Sequence, residues 1–83
     1  MSLYIDVHTI EGGVTLGDAA GAHAADLATQ ERFGVKYLQY WVNEAEGKVV
    51  CLVEAPSAEA AVAVHKEAHG LLADQIFEVT EGA

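Results

Sequence analysis

Two histidines four residues apart, His65 and His69 in the run His65-Lys66-Glu67-Ala68-His69, have the types and spacing best suited to chemistry in this chain. On a helix, residues at that spacing project from neighbouring turns with Cβ atoms roughly 5–6 Å apart, a span one metal ion bridges. Neutral imidazole is the commonest nitrogen ligand for zinc, copper, nickel and cobalt, and a helix preorganises the pair. Two ligands still leave a coordination sphere unfilled. The competing reading is electrostatic, because histidine near a helix C-terminus is favoured by the macrodipole and Lys66 has the same placement. Counting around the helix puts Ala61, Val64, Ala68 and Leu72 on the buried stripe, His65 at its edge and His69 farther out. Both rings are then expected within reach of solvent.

Asp6 and His8 form a second constellation. Side chains two apart on a strand share a face, and Glu54 or Glu78 on neighbouring strands could converge on them. They would supply mixed oxygen and nitrogen ligands to a metal, or a base with its orienting acid. The plain alternative is a hydrogen-bonded polar spot at a dimer interface. His23 with Asp26, about one turn apart, is a third pair, most simply a border histidine satisfied by a neighbouring acid. Cys51 reads as a small buried hydrophobe. The glycines do not match GxGxxG or a P-loop, and no CxxC is present.

Composition narrows the classes of partner. The chain has 83 residues, with thirteen Asp and Glu against four Lys and Arg, a net charge of -9. That charge repels phosphate backbones and anionic lipid, which argues against nucleic acid and membrane surfaces, and it attracts cations. A single cysteine excludes an internal disulfide and fits a reducing compartment. No basic-then-apolar leader and no apolar run of roughly 20 residues is seen. The expectation is a cytoplasmic protein with one domain over residues 1–83. Fifteen alanines inflate the hydrophobic fraction of 52%, so a monomer would have a thin core.

The elements follow from periodicity and punctuation. Leu3, Ile5 and Val7 alternate with Tyr4, Asp6 and His8, the pattern of a half-buried strand. Thr15 and Asp18 resemble a capping box opening a helix over about 16–33, closed by Gly34. Strands are expected over 35–43 and 48–55, joined by a hairpin at 44–47. With four residues in the turn, Tyr40 lies opposite Cys51, Trp41 opposite Val50, and Tyr37 opposite Glu54. Ser57 caps a helix from about Ala58 to His69, and 75–80 forms the last strand. The order β, α, β, β, α, β is the α+β, ferredoxin-like arrangement, an antiparallel sheet with both helices on one face. Alternation assigns Leu3, Ile5, Val7, Leu38, Tyr40, Val42, Val49, Cys51, Val53, Phe77 and Val79 to the helix-covered face. The open face then takes Tyr4, Asp6, His8, Tyr37, Gln39, Trp41, Val50, Leu52, Glu54, Ile76 and Glu78. An uncovered face this apolar predicts a homodimer packed through it.

At Asp6-Val7-His8, Tyr40-Trp41-Val42, Cys51-Leu52-Val53-Glu54-Ala55-Pro56-Ser57 and His65-Lys66-Glu67-Ala68-His69-Gly70, the chain resembles a family of small bacterial nickel-binding proteins. The resemblance covers essentially its whole length. It implies a homodimeric ferredoxin-like domain that binds nickel, for sequestration or detoxification. Asp6, His8, His23, Asp26, His65 and His69 match the family's pattern as candidate ligands. The leading expectation is a non-catalytic protein holding Ni(II) first through His65 and His69, with His8 and Asp6 as a separate or supplementary set. The same donors suit zinc, copper and cobalt. One alternative is a small dimeric α+β barrel enzyme of the cofactor-free monooxygenase or isomerase type, using His8, His23, Tyr40 and Trp41. Another is a dimeric scaffold with incidental histidines.

Overall fold

In the computed structural model, which describes residues 1–83, the elements run β1 (Ser2–Thr9), α1 (Leu16–Thr29), a single 3₁₀ turn (Gln30–Phe33), β2 (Lys36–Asn43), β3 (Lys48–Ala55), α2 (Ala58–Ala68) and β4 (Gln75–Val79). Local signals set their ends. The Thr15 hydroxyl accepts the Asp18 N–H at 3.0 Å while the Asp18 carboxylate accepts the Thr15 N–H at 3.2 Å, so aspartate completes the capping box in place of the usual glutamate. The first helix is α only to Thr29 and finishes as one tighter turn, after which Gly34 adopts φ +67° and stops it. At the start of α2 the Ser57 hydroxyl accepts the Ala60 N–H.

The four strands form one antiparallel sheet in the order β2-β3-β1-β4. Both helices cover one face, giving the expected ferredoxin-like arrangement. The core is small: Val35, Tyr37, Cys51, Val53 and Ala55 meet Ala61 and Val64 of α2, with Tyr4, Phe33, Tyr40, Val49 and Ile76 packed around them. Alanine on the helices lets them approach the sheet closely, which suits a chain short of bulky apolar side chains.

The phase of β1 and β4 differs from the alternation reading. Asp6 and His8 are 1% and 3% exposed beneath the helices, and the register places Asp6 beside Cys51 and Ile76, and Tyr4 beside Val53 and Glu78. The polar row of β1 is therefore the covered one, and Leu3, Ile5 and Val7 lie on the open face with Phe77 and Val79. Period alone does not fix phase, and here the buried row carries acids and imidazoles that satisfy one another. In β2, Tyr40 opposes Cys51 and Trp41 opposes Val50 as expected. A bulge between Tyr37 and Gln39 then sets Tyr37 opposite Val53 instead of Glu54, turning Tyr37 inward. The open face remains apolar: Trp41, Val50 and Val7 form one row, and Leu52, Ile5 and Phe77 the next. Trp41 and Phe77 are each 47% exposed.

Candidate metal centre

Asp6 is the fixed point of the site. Its Oδ1 accepts from His8 Nε2 at 3.1 Å, and its Oδ2 accepts from His65 Nε2 at 3.0 Å and faces the Tyr37 hydroxyl at 3.2 Å. That hydroxyl has one proton, shared between Asp6 and the Ala61 carbonyl 3.0 Å away. Burial alone would raise the Asp6 pKa, but hydrogen bonds from His65 and His8, reinforced by their charge, hold it well below the usual carboxylate range.

His65 joins this acid to a second one. Its Nδ1 lies 2.9 Å from Asp26 Oδ1 on α1. Ionised carboxylates only accept, so both ring nitrogens carry protons and the ring is an imidazolium between two aspartates. Burial works against that charge, but the hydrogen bonds to Asp26 and Asp6 overcome it, and the His65 pKa is raised to about 9. His65 is 3% exposed, in contrast to its expected place at the edge of the helix. The reason lies at the C-terminus of α2, which ends at Ala68 with His69 as its cap. Leu72 is off the helix and 52% exposed, so the buried stripe centres on Ala61, Val64 and His65.

His69 completes the group. Its Nδ1 accepts the Leu71 N–H at 3.1 Å, which leaves Nε2 as the protonated nitrogen of the neutral ring. That Nε2 sits 3.0 Å from Asp26 Oδ1 but out of line for a hydrogen bond, and is otherwise without a partner. Burial lowers the His69 pKa, with Asp26 opposing and the His65 charge assisting. His8 Nδ1, on the far side of the ring from Asp6, is likewise buried and unpartnered. Orphaned buried nitrogens are uncommon in folded proteins, and each calls for a water, an ion or another group as its partner.

Two donor sets overlap at His65. Asp26, His65 and His69 form one, and Asp6, His8, Cys51 and His65 the other, the donor atoms of each lying within 4.8 Å of one another. The 2.9 and 3.0 Å separations from Asp26 Oδ1 to the two imidazole nitrogens match hydrogen bonds. They also match adjacent corners of an octahedron, since donors about 2.1 Å from one ion at right angles stand about 3.0 Å apart. A tetrahedral ion would spread them to about 3.4 Å. Once the His65 proton leaves and the His69 proton moves from Nε2 to Nδ1, giving up the Leu71 N–H bond, Asp26 Oδ1 and the two imidazole nitrogens stand at octahedral-edge spacing for a divalent ion.

Beside the cluster lies a cavity of about 240 Å³, lined by Asp26, His65, His69, His8, His23 and Tyr40 together with Ile10, Val14, Ala19, Ala22, Val49 and Leu71. His23 does not pair with Asp26; its ring packs against Tyr40, centroids 4.7 Å apart. Asp6, His8, Asp26, His65 and His69 are thus brought together, and His23 stands apart on the cavity wall. Glu54 and Glu78 take no part in either donor set. Tyr37 and Cys51 are members that sequence reasoning did not place in the site. Burial, followed by the charge of Asp6, pushes the Cys51 thiol and the Tyr37 phenol up, so both stay neutral.

The family model described as "Nickel responsive protein SCO4226-like" matches residues 4–79. The crystal structure of SCO4226 from Streptomyces coelicolor A3(2) superposes with a TM-score of 0.91 at 41% sequence identity, covering 99% of this chain and 100% of that one. Among curated proteins nothing matches significantly. No helix is long and apolar enough to cross a membrane.

Proposed function

We propose, for a chain that belongs to the SCO4226-like family of nickel responsive proteins, that the buried histidine–aspartate cluster takes up Ni(II) as cargo and performs no reaction on it. The observation that carries this reading is the Asp26, His65 and His69 donor set, with an unpartnered His69 Nε2 and octahedral-edge separations. Asp26, His65 and His69 hold the ion. Asp6 keeps the other nitrogen of His65 engaged, the carboxylate–histidine–metal arrangement that fixes tautomer and ring angle. His8 and Asp6, with Cys51 close by, are a supplementary set, and His23 is a ligand in reserve on the cavity wall. Zinc, copper and cobalt accept similar donors; the family's name favours nickel.

Two such chains pair through the open sheet face, where Trp41, Phe77, Ile5 and Leu52 would otherwise face water. In the cytoplasm of a bacterium the protein would sequester or detoxify the ion. Ligating imidazoles must lose protons, so binding strengthens as pH rises toward about 9, where His65 gives up its proton without the metal. Calorimetric titration of nickel into tag-free, EDTA-stripped wild type and a His65→Ala, His69→Ala double variant tests the assignment. The expected loss is at least roughly 100-fold, the upper range for merely supporting residues of metal sites. Equal affinity would remove the pair from the site.

A further inference from the structure

The site holds far more room than one ion needs. A cavity of about 240 Å³ borders Asp26, His65 and His69, whereas a water molecule occupies about 30 Å³ and an apolar cavity of about 150 Å³ admits benzene in another protein. Ile10, Val14, Ala19, Ala22, Val49 and Leu71 make up the apolar part of the remaining wall, beside the polar groups of Asp18, His23 and Tyr40. Three protein donors leave three corners of an octahedral ion open. Water molecules at corners that face the apolar part of the wall would lose hydrogen bonds.

Charge narrows what fills the space. When the ion displaces the His65 proton, the Asp6 and Asp26 carboxylates and the 2+ ion sum to zero. An anionic co-ligand would leave a net negative charge buried in the domain, which is costly. An uncharged one would not. Shape narrows it further, because the tilted ring pair of His23 and Tyr40 presents aromatic surface against which a planar ring packs well.

We propose that this cavity receives the metal together with a planar, uncharged, bidentate nitrogen ligand, so that the cargo is a small metal complex and not the bare ion. The proposal rests on the metal reading above, and the experiment separates the two. Nickel alone, its 1:1 complex with 2-(aminomethyl)pyridine and its 1:1 complex with the anion picolinate are each titrated into the metal-free protein by calorimetry. Native mass spectrometry then counts chelators retained per chain. The same titrations are run on Val14→Phe and Ala22→Leu, which fill the cavity while keeping every donor residue, and circular dichroism checks their fold.

The uncharged complex is expected to bind at least tenfold tighter than nickel alone and tenfold tighter than the picolinate complex, with one chelator retained. In the folded filling variants that advantage disappears while nickel alone binds as in wild type. Nickel binding without any gain from the chelator, release of the chelator on binding, or preference for picolinate would each overturn the proposal and leave the metal site standing. Absence of nickel binding would overturn the metal reading and this proposal with it.

Discussion

Raising the pH from 7 to 8.5 should weaken the metal-free protein by about 2 kcal/mol, and the reason is His65. Its folded pKa is raised to about 9 from 6.5, so between those values the folded chain holds a proton that the unfolded chain has released. The stabilisation is fully present below 6.5 and is lost as pH rises through about 9. Stability then falls by about 1.4 kcal/mol per pH unit at full slope, or about 2 kcal/mol over this range. The neighbouring groups do not reverse the sign. The lowered pKa of His69 acts at and below 6.5, where stability rises with pH and then levels off. The raised Cys51 thiol begins to count only as the unfolded thiol ionises near 9.0, which is why the range stops at 8.5. Unfolding free energies of ~4–12 kcal/mol are ordinary for a chain of this length, so urea denaturation at several pH values resolves the change. Nitrogen chemical shifts of the imidazoles should show both His65 nitrogens protonated at pH 7. A flat profile, or a neutral His65 ring at pH 7, would refute the two-carboxylate clamp.

Asp6→Asn keeps the shape but removes the charge; His65 should then titrate much closer to 6.5, with a stability loss of about 3 kcal/mol by urea melts at pH 6.5. Nickel binding at pH 7 should release about one proton per ion, mainly from His65, measured by calorimetry in buffers of differing ionisation enthalpy; zero release would mean that His65 is not a ligand. Phe77→Glu on the open sheet face should halve the mass seen by size exclusion with light scattering at micromolar concentration, whereas wild type already at the mass of one chain would dispose of the homodimer.

The elements were legible because their signals are local. Thr15 with Asp18, Gly34, Ser57 and the hairpin at 44–47 each act over a few residues, and the observed boundaries follow them. Which face of β1 meets the helices was not legible. Placing Leu3, Ile5 and Val7 inside is the ordinary solution, and this fold instead buries Asp6 and His8, because His65, itself held by Asp26 of the other helix, reaches Asp6, and Asp6 in turn holds His8. Local pattern misleads where a functional cluster is buried at some cost. Tyr37 was invisible for a different reason: a bulge one residue away reverses its side, and nothing in Lys36-Tyr37-Leu38-Gln39 announces it. The spacing of His65 and His69 put both rings on one side of α2, but the burial of His65 was not legible, because the helix ends before Leu72. The joining of Asp26, on the other helix, needed the tertiary structure.

Crystals of the tag-free protein grown with nickel, with diffraction collected on both sides of the nickel absorption edge, would locate the ion against Asp26, His65 and His69. An anomalous peak is expected within about 2.2 Å of a carboxylate oxygen of Asp26, an imidazole nitrogen of His65 and Nε2 of His69. A peak only at surface carboxylates, with the hydrogen bonds of His65 to Asp6 and Asp26 intact beside it, would contradict the assignment.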